Sequence, residues 1–208
     1  LTMIKAYAEL SKDLHKNKPD KQEEDMNTII KETDRLTTLV DDILTLSKIE
    51  SYVEDLNIEE FDLITLIENI ISQYKVLQET EKYTFKFIHN RKKLLIKADK
   101  KKLEQVIYNL INNAINYTGD NNLVMIKVTK DKDILVEIID TGKGIKEEDI
   151  PYIWDKYYKN KKKHKRNLVG TGLGLNIVKK ILEEHKYEYG VKSTLNKGTT
   201  FYFIIKQK

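Results

Sequence analysis

The apolar residues of this chain change period near Ser51, and that change excludes a single repeated layer. Met26, Ile29, Ile30, Leu36, Val40, Ile43, Leu44 and Ile49 lie close to a heptad stripe. Only a helix turns such a stripe to one side. Upstream, Leu1, Ile4, Ala8 and Leu14 keep helical spacing as far as Lys16. Asn17-Lys18-Pro19-Asp20 then breaks the pattern, with Asp20 as the expected N-cap of the second helix. So short a link implies two antiparallel helices. A lone hairpin cannot bury both stripes, so residues 1–50 are expected to build a four-helix bundle with a second copy of the chain.

Beyond Glu54 the spacing alternates between two and three to four residues. Expected strands are Leu56–Phe61, Tyr83–His89, Lys93–Ala98, Leu123–Thr129, Ile134–Asp140, Glu188–Leu195 and Thr199–Lys206. Expected helices are Leu63–Leu77, a segment capped by Asp99 and running to Tyr117, a short one over Glu147–Tyr158, and one after Gly174. Strands and helices are interspersed while consecutive strands pair as hairpins. The predicted fold class is therefore α+β, a two-layer mixed-sheet and helix sandwich preceded by an antiparallel helical hairpin. Residues 51–55 read as a linker and 56–208 as the second domain.

Hydrophobic residues make up 40% of the 208, enough for a core of that size. There is no cysteine, hence no disulfide or thiolate metal site, and no apolar run of the roughly 18 residues a membrane span needs. No signal peptide is evident, and Leu1 opens inside a helical pattern, so the chain is expected to be a piece of something longer. The net charge of +4 is unevenly spread: residues 155–169 hold seven Lys and Arg against Asp155, a local +6, which leaves −2 elsewhere. One basic loop without interleaved base-stacking aromatics gives no nucleic-acid-binding face. It is either a solvated loop or one that faces a polyanion.

Three glycines at alternate positions, Gly170, Gly172 and Gly174, with Thr171 and Leu173 between them, directly precede the helical run Leu175, Val178, Ile181, Leu182. Backbone N–H groups at a helix N-terminus attract phosphate, and a Cβ would hold it off. The spacing is neither that of a P-loop nor that of a dinucleotide fold. On the Asp99–Tyr117 helix, Asn109 and Asn113 are four apart and share one face, while Leu103, Val106, Ile107, Leu110, Ile111 and Ala114 form the other. Asparagine disfavours helix interiors, and its neutral oxygen suits Mg2+, which keeps water and phosphate as its remaining ligands. Asp140-Thr141-Gly142-Lys143-Gly144-Ile145 ends a strand with a carboxylate able to accept from an exocyclic amine, and its glycines let a planar base approach backbone. Asn196-Lys197-Gly198-Thr199-Thr200 reads as a hairpin turn.

Taken in order, Asn109 and Asn113, Asp140-x-Gly142-x-Gly144, the stretch Ile150, Pro151, Ile153, Trp154, Tyr157, the three alternate glycines and a closing Lys-Gly-Thr-Thr-Phe resemble the catalytic ATP-binding domain of sensor histidine kinases. That family belongs to the gyrase, Hsp90, histidine kinase and MutL superfamily. The resemblance spans about Leu56 to Lys206. It implies that Asn113 ligates Mg2+, that Asn109 supports phosphates and metal, and that Asp140 reads the adenine amine of ATP in a pocket shaped by Gly142 and Gly144 and lined by Ile145. Gly170, Gly172 and Gly174 would wrap the phosphates, Tyr117 would border the base, Thr199 would tether the pocket, and the basic loop would be the lid.

Residues 1–50 resemble the family's dimerisation hairpin. Its phosphoacceptor box, H-E-[LF]-[RK]-T-P-L-T, persists only as Leu1-Thr2, and none of His15, His89, His164 and His185 lies in such a box. The resemblance thus implies the cytoplasmic portion of a membrane-anchored sensor kinase that dimerises and passes phosphate to the receiver domain of a response regulator, while this stretch lacks the acceptor and should not autophosphorylate. In ATP-hydrolysing relatives a glutamate stands where Asn109 does. Further departures are Asn116 for a common Lys, with Lys156, Lys159 or a lid lysine as substitute cation, Trp154 for Phe, Lys159 for Arg, and Lys186-Tyr187 for Gly-Gly. Alternatives are a degenerate nucleotide-binding module, or a serine-kinase-like member of the superfamily, acting in regulation.

Overall fold

The computed structural model describes residues 2–51, 55–80, 83–156, 158 and 172–207. Tyr157, Lys159, Gly170, Thr171 and the rest of the expected lid fall outside them. The chain divides into two compact units, a helical hairpin and an α/β unit.

In the hairpin, α1 (Thr2–Glu9) continues into a π turn over Leu10–Leu14, and α2 runs over Pro19–Ser51. Asp20 is not the N-cap. Pro19 already occupies the first helical position, where its missing N–H and fixed φ cost nothing, so Asp20 lies inside the first turn and acts only through its charge. The link is tied at both sides: the His15 ring meets the buried Asp25 carboxylate at 2.7 Å, and Gln22 Nε2 donates to the Ser11 carbonyl at 3.3 Å. Within this unit Met26, Ile30, Val40 and Leu44 stay half or more exposed, so the heptad stripe is not consumed by the hairpin itself.

The second unit is built on a five-stranded sheet in the order β2-β4-β5-β7-β6, with a separate two-stranded ribbon, β1-β3. The strands are β1 Ile58–Asp62, β2 Thr84–His89, β3 Leu95–Asp99, β4 Leu123–Lys130, β5 Ile134–Asp140, β6 Glu188–Thr194 and β7 Gly198–Ile205. Hairpin pairing holds for β4-β5 and β6-β7 but not for the first three strands. β2 runs parallel to β4 from Thr84 opposite Leu123, and β1 joins β3 instead. The expectation that consecutive strands pair throughout is thereby corrected. Alternation locates one face: Val124, Ile126 and Val128, then Ile134, Val136 and Ile138, then Phe201, Phe203 and Ile205 are all buried.

Helices α3 (Leu63–Ser72), α5 (Lys100–Tyr117) and α6 (Gly174–Glu184) bury against that face. The helix expected over 63–77 ends five residues early and a short α4 follows, Lys75–Thr80. Tyr74 is the cause. Its N–H takes a tightened bond to the Ile71 carbonyl, which turns the ring inward to stack on Phe85 and Tyr108 at 5.4 and 5.9 Å. Asp99 caps α5 as its sequence position implies, accepting from Lys102 N–H at 3.0 Å. The helix expected over Glu147–Tyr158 is a 3-10 turn, Ile150–Tyr152, within a run of bonded turns. Pro151 removes an N–H there, and too few residues follow to nucleate an α-helix.

α6 ends at Glu184, and Lys186-Tyr187 follow, where the resemblance implies Gly-Gly. Lys186 adopts φ +57, and the bonds Lys186 N–H to Glu183 O and Tyr187 N–H to Leu182 O complete a Schellman closure. His185 completes the contact with α5. Its Nε2 accepts from Asp99 N–H at 3.1 Å while Nδ1 lies 2.8 Å from the Ile181 carbonyl, which fixes the neutral Nδ1–H tautomer.

Candidate functional site

α5 carries both asparagines because its apolar positions leave them no other face. Leu103, Val106, Ile107, Leu110, Ile111 and Ala114 are buried against the sheet, and Asn109 and Asn113 sit half-buried at its margin. The third amide of that run is structural: Asn112 Oδ1 accepts the Tyr74 hydroxyl at 2.9 Å. Asn109 is different. Its Nδ2 is buried and has no hydrogen-bond partner, and an unpaired buried donor costs about 1–3 kcal/mol. The asparagine faces α6, since a Cβ on Gly174 would lie 3.5 Å from Asn109 Oδ1.

Asp140 ends β5 opposite Thr199 on β7 and is only 3% exposed. Its Oδ1 accepts Gly142 N–H at 2.8 Å, and Thr199 N–H also donates to the carboxylate. Burial outweighs those two bonds and pushes the carboxyl up to about 6. Gly142 has no room for any side chain: a Cβ would stand 1.8 Å from the Tyr117 carbonyl oxygen. This clash distance shows how closely the strand-end loop lies against the C-terminus of α5. Tyr117 is the last residue of that helix and is 43% exposed.

The remainder of the loop is fastened to β6 and β7. Gly144 takes φ +69 with its Cα against the Thr194 carbonyl. Ile145 N–H donates to Ser193 Oγ at 2.8 Å, and Ser193 Oγ in turn meets the Gly198 carbonyl and Thr199 Oγ1, each at 3.0 Å. Gly198, at φ +101, packs on the Asp140 carbonyl. Thr199 is buried in this cluster. On the α5 side, Thr118 Oγ1 donates to the Leu123 carbonyl at 2.7 Å and meets Thr141 Oγ1 at 3.1 Å.

The fold therefore brings together Asn109 with Gly174, and Asp140, Gly142, Tyr117, Ile145 and Thr199 with one another. Gly172, at φ +78, and the fully buried Leu173 lead into α6. Lys156 is exposed on the turn after Trp154. Lys159, Gly170 and Thr171 lie outside the described residues. Sequence reasoning missed Ser193, Thr118 and Asn176, because each acts through a contact with a distant backbone group and belongs to no motif.

A site of this composition offers a buried amide donor, amide oxygens, an acceptor carboxylate beside closely packed glycine backbone, and a helix N-terminus. It suits a planar amine-bearing base joined to an anion. Among the described residues there is no cluster of three or more His, Cys, Asp or Glu that could hold a metal ion. No helix among the described residues is long and apolar enough to cross a membrane.

Comparison with known proteins points the same way. The profile of the histidine kinase-, DNA gyrase B- and HSP90-like ATPases matches residues 98–208, and that of the His Kinase A (phospho-acceptor) domain matches residues 1–52. Signal transduction histidine-protein kinase ArlS of Staphylococcus haemolyticus is 33% identical over 99% of this chain and 45% of its own length. Sensor protein SrrB of Staphylococcus aureus is 34% identical over 99% of this chain and 35% of its own. The chain thus spans less than half the length of these relatives. Among solved structures, histidine kinase ThkA in complex with the response regulator protein TrrA superposes with a TM-score of 0.78 at 27% identity, covering 100% of this chain and 57% of that one.

Proposed function

The chain belongs to the histidine kinase-, DNA gyrase B- and HSP90-like ATPases, and from that premise we propose that residues 56–208 are the ATP-binding catalytic domain of a two-component sensor histidine kinase. The observation that carries this reading is the pairing of an unpartnered buried amide, Asn109 Nδ2, with the helix N-terminus at Gly174. A phosphate oxygen at that turn can accept from the amide and from first-turn N–H groups together.

Each residue has a definable task. Asp140 accepts from the purine amine while Gly142 and Thr199 hold the carboxylate in place, and Gly142 and Gly144 shape the base pocket. Ile145 lines it and Tyr117 borders it. Asn109 donates to phosphate, Gly172 and Gly174 present backbone to it, and Lys156 supplies positive charge, as would Lys159 with Gly170 and Thr171. The Asn113 amide oxygen suits Mg2+, which when bound would neutralise the phosphate charge. No carboxylate stands at position 109 to deprotonate water. An amide cannot take a proton, and phosphoryl transfer depends on positioning and charge neutralisation, so the site favours transfer to a protein histidine over hydrolysis.

Residues 1–50 form the dimerisation hairpin, its exposed Met26, Ile30, Val40 and Leu44 meeting a second copy. The whole protein is anchored upstream in the membrane and hands phosphate to a response-regulator receiver domain. That ThkA is crystallised with TrrA supports this partner class. The 208 residues themselves have no histidine in an acceptor box and do not autophosphorylate. Calorimetric titration with Mg2+ and ATP tests the reading: the wild type binds, while Asn113→Asp and Gly172→Ala weaken binding at least tenfold. Equal heats from all three would refute it, and acid-labile labelling of this chain by labelled ATP would refute the missing acceptor.

A further inference from the structure

Asn176 is the third residue of α6, only 6% exposed, and none of the roles above uses it. A buried amide inside a helix is costly unless it is bonded. Its Nδ2 donates to the main-chain carbonyl of Trp154 at 2.9 Å, 22 residues earlier, while its Oδ1 is buried without a partner. Trp154 is held in turn by two edge-on ring contacts, Tyr189 at 5.0 Å and 72° and Phe201 at 5.7 Å and 89°. Phe201 lies two residues after Thr199 on β7, the strand paired with Asp140. One hydrogen bond therefore joins the first turn of α6 to Trp154, whose ring packs on β6 and on β7, the strand paired with the one that ends in the candidate base-binding carboxylate.

Gly174, two residues away and so about 200° around the helix, is the residue against Asn109. The first turn of α6 is thus bounded by Asn109 at one side and by the Trp154 carbonyl at the other. We propose that Asn176 is a positioning residue for polyphosphate binding: its amide fixes the turn whose N–H groups meet the phosphates, without touching nucleotide. The acceptor is main chain, so the link depends on the side chain at 176 and not on which residue stands at 154. This rests on the nucleotide reading, and the test separates the two.

Binding of adenosine, ADP and Mg·ATP is measured by calorimetry for the wild type, Asn176→Leu, Asn176→Asp and Asn176→Gln, with thermal melts to score folding. Leucine fills the volume without a donor, aspartate keeps the shape without a donor, and glutamine keeps the donor. Lost positioning should raise the Kd for Mg·ATP about tenfold in N176L and N176D, the equivalent of roughly 1.4 kcal/mol. Adenosine should stay within about twofold, and N176Q should recover most of the loss. Trp154 is the sole tryptophan, so its emission should shift in N176L and N176D and return toward wild type in N176Q. Equal weakening of adenosine and ATP, or unchanged ATP binding in a folded N176D, overturns the proposal. A wild type that binds neither ligand overturns the nucleotide reading and this inference with it.

Discussion

Replacing Asp140 by asparagine should remove a pH-dependent loss of stability and weaken nucleotide binding, and the size of the first effect can be worked from the structure. Burial raises the carboxyl from 3.8 to about 6 despite the donors at Gly142 and Thr199. A folded-state value above the unfolded one means that the native protein holds the proton more tightly. The associated stability is fully present below pH 3.8 and is lost as pH rises through 6. The gap between those two values is worth roughly 3 kcal/mol, or about 6–12 °C of melting temperature for a domain of this size. The asparagine of the variant does not titrate. Its amide, facing the two N–H donors, adds a penalty that is the same at every pH. The melting temperature of D140N minus that of wild type should therefore climb by about 6–12 °C between pH 4 and pH 7.5, measured by calorimetry in matched buffers. A purine amine donating to the carboxylate favours the ionised form, so wild-type affinity should fall as pH drops below about 6. D140N should bind at least tenfold more weakly with no such pH dependence, since a charged hydrogen bond is worth about 1.5–3 kcal/mol. A difference in melting temperature that is flat across the range would refute the account of Asp140.

Three further outcomes follow from particular contacts. Gly142→Ala places a Cβ 1.8 Å from the Tyr117 carbonyl oxygen, so it should cost at least roughly 3 kcal/mol in denaturant titration and abolish nucleotide binding. Lys186→Gly removes a side chain from φ +57 and should raise stability by roughly 1 kcal/mol, readable as a later denaturation midpoint with an unchanged slope. Burial holds His185 below its usual value of 6.5, so its contribution is complete above pH 6.5 and is lost as pH falls through the lower folded value. His185→Gln should flatten that part of the stability profile below pH 6.5, and an unchanged profile would show that the His185–Asp99 link does not matter.

What the sequence discloses here is local chemistry. Asp99 before an apolar-periodic run gives α5 its start to the residue, and the strict alternation from Ile134 to Asp140 gives β5 its full length, because cap and period are decided within a few residues. Where a distant partner decides, reading the chain in order fails. The break at Tyr74 needs the hydroxyl acceptor on Asn112, and the parallel match of β2 with β4 needs a neighbour nearly forty residues on. Pro19 and Pro151 are plain in the sequence, yet each shifts an element boundary by a rule of backbone geometry that composition alone understates.

The candidate site divides in the same way. Asn109, Asp140, Gly142 and Gly174 stand out as residue types that are expensive where they stand. Ser193 looks like any strand serine, and nothing marks Asn176 as the donor to a carbonyl 22 residues back. Such residues hold the visible ones in position, and their role exists only in three dimensions. Asn112 is the converse case: an asparagine as conspicuous as its neighbours, which proves to be a partner for Tyr74.

The central claim is that α5, the loop after β5 and the first turn of α6 converge on one metal-bound nucleotide. Paramagnetic broadening of backbone amides on adding Mn·ATP to the labelled 208-residue chain tests it most directly. The account predicts that Asn109, Asn113, Gly142, Gly172 and Gly174 broaden together, saturating at one equivalent, while Glu59 and Lys97 on the β1-β3 ribbon keep their intensity. Broadening confined to one of the three elements, or absent from all of them, would contradict it.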